Sequence, residues 1–248
     1  MALDLESIFL PLLLFLIAML YSSVGHAGAS GYLAVMAIIG IQPEIMRPSA
    51  LALNILVATI ATYKFYRVGS FSWGLFLPLI ITSNPMAYLG GRLMLPEEFY
   101  KPVVGIILLF AAWRLFQTGK NGSDYEVRTP SMLLLLLFGG VLGFLSGLTG
   151  VGGGIFLSPL LLVFRWAPLK VISGIAAAFI LVNSIAGILG VISIEKSMQP
   201  SLLFWALAVI LGGMIGSEYG SKHLTNKTIS ILLSLILLIG GIKMLFRI

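Results

Sequence analysis

The chain has no cysteine, two histidines and charged residues at only 10% of its 248 positions. Without cysteine there is no disulfide, no thiolate chemistry and no cysteine-ligated metal. His26 and His223 are too few for a multi-histidine centre, so neither a metal nor a cofactor is expected. A soluble domain of this length carries about a quarter charged residues. What stands in their place is apolar: 59% of the residues are hydrophobic and the mean hydropathy is +1.07. The remaining charges avoid the long apolar runs and gather between them, the pattern of a polytopic membrane protein. The net charge of +6 invites a nucleic-acid partner, but the 15 Lys and Arg are scattered singly or in pairs. No basic face of the kind nucleic acid needs is formed, and the partner implied is the lipid bilayer. A basic leader is missing too: the stretch 1–7 carries Asp4 and Glu6, so the first apolar run is expected to remain in the mature chain.

Glycine, by contrast, is plentiful. Leu148-Thr149-Gly150-Val151-Gly152-Gly153-Gly154 lies between two apolar runs, with four glycines in seven positions. Each costs roughly 1 kcal/mol relative to alanine inside a helix, so a break with close backbone approach is expected. Gly25-His26-Ala27-Gly28-Ala29-Ser30-Gly31 is a second such stretch near the start of the chain. Laying Gly147 on Gly25 puts Gly150 on Gly28, Gly152 on Ser30 and Gly153 on Gly31.

The surrounding runs repeat in the same order. In the first half they are 8–24, the short run 32–41, a helix from Pro48 to about Tyr66, 73–95 with Asn84-Pro85 inside, and 102–116. In the second they are 131–146, the short run 155–164, 171–192, 202–219 and 229–246. With Pro168 laid on Pro43, Ile-Leu-Val at 180–182 falls on Ile-Leu-Val at 55–57, and Gly90-Gly91-Arg92 has a counterpart in Gly220-Ser221-Lys222. The expected fold is all-α: one membrane domain of two homologous halves, repeat one 8–117 and repeat two 131–247, joined by a polar linker 118–130. Each half has a glycine-broken short segment, and about eight helices span the bilayer in all. Three or five crossings per half would invert the second copy and four would leave it parallel; inverted repeats are expected. With the linker in the cytoplasm and five passes per half, nine cations fall inside (Lys64, Arg67, Arg114, Lys120, Arg128, Arg165, Lys170, Lys222, Lys227) and six outside (Arg47, Arg92, Lys101, Lys196, Lys243, Arg247).

Non-helical backbone survives at membrane depth only inside protein or along a wet cavity. Matched broken helices are how many carriers build a midplane substrate site, with helix N-termini facing an anion. Here the N-termini near Gly31 and Gly154 would point at one shared site, although close helix packing alone also explains a glycine cluster. Asn54 lies in the third segment of half one and Asn183 in that of half two, aligned one helical turn apart. Thr59 aligns with Ser184. Their uncharged donors suit an anion that must bind and leave, and equally suit an interhelical hydrogen bond. His26, inside the first break, is a candidate anion ligand or proton carrier, the alternative being a histidine satisfied by a backbone carbonyl. The expected substrate site is therefore His26, Gly28, Ser30, Gly31, Asn54, Thr149, Gly150, Gly152, Gly153 and Asn183. Glu218 reads as an interfacial ion pair with Lys222, and Gly212, Gly216 and Gly220 as a packing stripe.

Two other classes are weighed against a carrier. A channel or cation pathway would call for a ring of intramembrane acids, and only Glu218 is at hand. Gly28-Ala29-Ser30-Gly31 fits the G-x-S-G string of an intramembrane serine protease. His26 is too near Ser30 in sequence to serve as a base from a neighbouring helix, and no catalytic residues are expected. With no P-loop string, transport energy would come from a gradient, with H+ a candidate coupling ion. A homo-oligomer is compatible with the sequence and nothing in it indicates one.

The string Ser146-Gly147-Leu148-Thr149-Gly150-Val151-Gly152-Gly153-Gly154, followed by Pro159, resembles the TauE/SafE-type sulfite exporter family of membrane permeases. The duplicated layout extends that resemblance over nearly the whole chain. The first copy, Tyr21 to Tyr32, looks like a family variant in which His26 and Ser30 replace part of the usual glycine-rich string. The resemblance implies a multi-pass secondary carrier of the bacterial inner membrane, working without ATP. Its implied substrate is a small anion: sulfite, a sulfonate, or another organosulfur or organic anion.

Overall fold

The computed structural model describes residues 5–39, 41, 43–93, 106, 109, 112, 113, 116, 126–193 and 202–246. Nine helices are delimited among the described residues. They are α1 (Leu5–Ser22), α2 (Ala29–Ile38), α3 (Pro43–Arg67), α4 (Trp73–Arg92), α5 (Met132–Thr149), α6 (Gly154–Val163), α7 (Leu169–Ile192), α8 (Leu202–His223) and α9 (Asn226–Phe246). No strand occurs among the described residues. The fifth segment of the first half and positions 118–125 of the linker fall largely outside them. The five positions described between 106 and 116 are helical.

Boundaries follow local chemistry. Ser131 caps α5 by accepting from the Leu134 N–H, and Gly150, in left-handed conformation, ends it. The helix expected to start at Pro48 starts at Pro43 instead, with Pro48 inside it. A proline in the first turn forfeits no intrahelical bond, so Pro43 can open the helix. Pro48, one turn on, removes a single early bond, and Arg47 is thereby carried into the helix.

Both glycine breaks are turns at which the chain doubles back. Ile17 of α1 lies against Gly28 and Gly31, and the Tyr21 hydroxyl meets Ser30 Oγ at 3.0 Å, so α2 returns along α1. In the second half, Gly153 packs on Ser146 while the Phe138 and Phe164 rings lie 5.7 Å apart, so α6 returns along α5.

The helices pair reciprocally between the halves. α1 packs along α8, where Gly212, Gly216 and Gly220 sit on the carbonyls of Phe15, Met19 and Ser23. α5 packs along α4, where Gly139, Gly143 and Gly147 sit on the carbonyls of Leu79, Ser83 and Ala87. Both ladders rise by four residues in step on the two helices, so each pair runs in the same direction. α3 and α7 cross at the centre running oppositely: Leu51 lies by Gly187, and three residues on Asn54 lies by Ser184. A side chain at most of these glycines would overlap a neighbour's backbone, which is why the small residue is required.

Among the described residues, four helices are long and apolar enough to cross a bilayer by length and composition: Ile45–Arg67, Met132–Thr149, Leu169–Ile192 and Leu202–His223. The apolar parts of α1 and α6 are shorter. Leu77, Ile81, Leu133, Leu137, Val141, Leu203, Phe204, Leu207 and Leu211 are exposed on the outer surface. A surface this apolar belongs in lipid, and the chain is a multi-pass membrane protein.

At one end of the bundle Glu218 pairs with Lys222 on its own helix and also with Lys64 of α3. The Glu218 side chain is 35% exposed, so water screens the cluster. Glu218→Gln is expected to leave the melting midpoint in detergent within roughly 2 °C of wild type. A much larger fall would show that the cluster anchors α3 to α8.

Candidate substrate site at the second helix break

The tip of the second hairpin lies against the middles of α3 and α7. Gly150, Gly152 and Gly153 all have positive φ, +73°, +83° and +80°. Thr149 holds the turn, its hydroxyl accepting from the Val151 N–H at 3.1 Å and donating to the Ser146 carbonyl at 3.4 Å. A methyl group on Gly152 would lie 2.8 Å from Asn54 Nδ2 and 3.0 Å from Ser184 Oγ. One on Gly153 would meet the Phe179 ring and Ser146.

Asn54 is fully buried, and its Nδ2 donates to the Val151 carbonyl at 3.2 Å and to Ser184 Oγ at 3.5 Å. Those donations fix the amide's orientation and turn Oδ1 into a buried acceptor with no partner among the described residues. Asn183 donates to Phe179 O of its own helix at 2.8 Å, and its Oδ1 is likewise without a partner there. Ser146 Oγ, buried beside Gly153, completes the set of unsatisfied polar atoms around the tip. Unpaired buried polar atoms are costly, and several around one non-helical turn are a concentration that needs a reason.

From the first break only His26 reaches this region. The ring is buried, with Nδ1 3.2 Å from the Val24 carbonyl and Nε2 3.4 Å from Ser158 Oγ on α6. A carbonyl can only accept, so Nδ1 carries a proton. In the neutral ring Nε2 then accepts from Ser158; in the imidazolium it donates. The ring also lies against the Gly154 backbone at the start of α6.

Gly28, Ser30 and Gly31 are placed elsewhere than expected. Gly28 and Gly31 pack on Ile17, Ser30 bonds to Tyr21, and the Tyr32 hydroxyl donates to Ala27 O at 2.5 Å. They build the fold of the first hairpin. The α6 N-terminus is in contact with His26, and the first turn of α2 packs on α1. Ser30 is hydrogen-bonded to a tyrosine rather than to His26.

Three residues around the tip stand outside the expected site: Ser146, seen only as the first residue of the glycine-rich string, Ser158, which belongs to no motif, and Ser184, visible only as the repeat partner of Thr59. Arg47 is a fourth. Its guanidinium donates through Nη2 to the carbonyls of Gly90 (2.9 Å), Gly91 (3.0 Å) and Gly147 (2.6 Å), and through Nη1 to that of Leu93 (3.1 Å). It thus caps α4 and clamps the last turn of α5 just before the break, as a cation at two helix C-termini should. No group of three or more His, Cys, Asp or Glu side chains suited to a metal occurs among the described residues.

Re-entrant hairpins, an apolar exterior and buried polar atoms at mid-depth are the architecture of a membrane transporter. The pattern of the sulfite exporter TauE/SafE family matches residues 10–244, and the chain belongs to that family. It is 38% identical to the probable membrane transporter protein y4hK of Sinorhizobium fredii over 246 residues, 98% of this chain and 100% of that one. It is 28% identical to the probable membrane transporter protein YjnA of Bacillus subtilis over 89% of this chain and 92% of the relative. With the probable membrane transporter protein MJ0441 of Methanocaldococcus jannaschii it shares 26% identity over 75% and 73% of the two chains. No solved structure matches it.

Proposed function

We propose that this protein is a secondary carrier of a small oxyanion, sulfite or a sulfonate, in the bacterial inner membrane. The observation that carries the reading is the second break, where bare backbone and the orphaned atoms of Asn54 and Ser146 meet at mid-depth. The α6 N-terminus and the Ser146 and Ser158 hydroxyls are donors for an anion's oxygens. Asn54 Oδ1 is an acceptor, which suits an anion that keeps one O–H, such as hydrogensulfite, better than a fully deprotonated one. His26 is the group through which a proton gradient would couple.

The reading includes inverted repeats and about eight crossings. Inversion is supported by the opposite run of α3 and α7, which are counterparts in the duplication. Among the described side chains, Lys64, Arg67, Arg128, Arg165, Lys170, Lys222 and Lys227 gather at one end and Arg47 and Arg92 at the other, a bias that supports reading the first end as cytoplasmic.

The test is flux of sulfite and of small sulfonates into proteoliposomes with and without an imposed pH gradient. Wild type is expected to show saturable flux, Asn54→Ala at least about tenfold less, and His26→Ala flux that no longer responds to the gradient. Saturable flux unchanged in Asn54→Ala would remove the break from the substrate path.

A further inference from the structure

A cavity of about 370 Å³ opens at the basic end of the bundle, where the segment entering α5 meets the α6–α7 turn. It is separated from the break by the length of α6, 10 residues, or about 15 Å. Its walls include Arg128, Ser131, Leu134, Phe164, Arg165 and Trp166, and its lining contains two arginines and no acid.

Arg165 is the informative residue. Its φ is +59°, and every other described residue with positive φ is a glycine. The Arg165 N–H bonds to Leu162 O at 3.0 Å and the Trp166 N–H to Leu161 O at 2.9 Å, the helix stop for which glycine is the favoured residue. In the repeat alignment the position falls on Gly40, so the first copy of the unit has glycine there. A non-glycine residue carries backbone strain here that glycine would not, which directs attention to what its side chain does. The Arg165 carbonyl accepts from the Arg128 N–H at 2.8 Å, a bond that sets both arginines at one cavity.

The rest of the cavity is amphipathic. Phe164 stacks on Trp166 with ring centroids 5.1 Å apart, and Phe138 flanks both. Below the arginines, Leu134, Leu137 and Val141 form an exposed apolar strip along α5, facing lipid. Two arginines on one cavity, with an aromatic and aliphatic wall beside them, fit a phosphate with an acyl chain attached.

We propose that this cavity holds the headgroup phosphate of an anionic phospholipid, clamped between Arg128 and Arg165, with an acyl chain along Leu134, Leu137 and Val141. The assignment is independent of what the protein transports.

The test compares full-length wild type, Arg165→Gly and the double variant Arg128→Gln/Arg165→Gln in nanodiscs of phosphatidylcholine alone or with phosphatidylglycerol. Phosphatidylglycerol is expected to raise the wild-type melting midpoint by about 3–5 °C and to leave both variants unmoved. In phosphatidylcholine alone Arg165→Gly is expected to melt at or above wild type, since glycine relieves the backbone; that arm separates a lost ligand from a lost fold. The proposal is overturned if the gain persists in both variants or is missing in wild type. Inorganic phosphate giving the same gain in phosphatidylcholine discs overturns it too, by assigning the cavity to a soluble oxyanion.

Discussion

Arg47→Met is expected to lower stability by roughly 3 kcal/mol, a fall of about 6–12 °C in melting midpoint for a chain of this size. Arg47 donates to four carbonyls, three at the end of α4 and one at Gly147. Gly90, Gly91 and Gly147 lie in last turns, where helical N–H groups run out, and of their carbonyls that of Gly90 also accepts from the Leu93 N–H at 3.2 Å. Methionine fills similar space and supplies no donor, so these carbonyls lose the guanidinium while the positive charge that opposed both helix dipoles is gone. Arg47→Lys is expected to recover part of the loss, because an ammonium has three donors but not the planar fork that reaches two helices together. The measurement is thermal unfolding of purified protein followed by loss of monodispersity. Wild-type melting of Arg47→Met would mean that the glycine ladder between α4 and α5 holds the break without the clamp.

Gly152→Ala is expected to separate transport from folding. The residue has φ +83°, and a methyl group there would lie 2.8 Å from both Asn54 Nδ2 and Ile180 Cγ2. The left-handed backbone costs a non-glycine residue roughly 1–2 kcal/mol and crowding against Asn54 and Ile180 about 1–3 more, a fall in melting midpoint of roughly 4–20 °C that should still leave a folded protein at room temperature. The methyl nevertheless occupies the space between Asn54 and Ser184, and flux is expected to fall at least about tenfold. Gly74→Ala is the control: nothing lies within 4 Å of a methyl group there and no positive φ is needed. If Gly152→Ala and Gly74→Ala transport equally well, the second break is a packing device and the substrate path runs elsewhere.

The two broken segments and the run boundaries were legible to within a few residues because they are local. Apolar periodicity, proline and glycine act on the residues beside them. Helix ends drifted where the signal was ambiguous, as at Pro43 and Pro48, either of which can open a helix. The candidate site was legible only in part. Gly150, Gly152, Asn54 and His26 stood out as glycine in an apolar context or as polar groups at depth. Ser30 stood out for the same reason, yet bonds to Tyr21 on its own hairpin. Ser158 was one serine among many until the fold set it 132 residues from its partner His26.

The amino-acid sequence by itself determined the solvent this protein folds in and the places where its helices must break. Those follow from composition and from backbone preferences that need no distant partner. Only the tertiary structure decided that each break turns the chain back on itself and that Arg47 holds the second one from 100 residues away. It also decided that Asn54 meets the second break at Val151 and that His26 meets Ser158 on the helix that follows it. Such pairings depend on which helix faces lie together in space, and one arginine or serine in a sequence has no local feature that says which face it will meet.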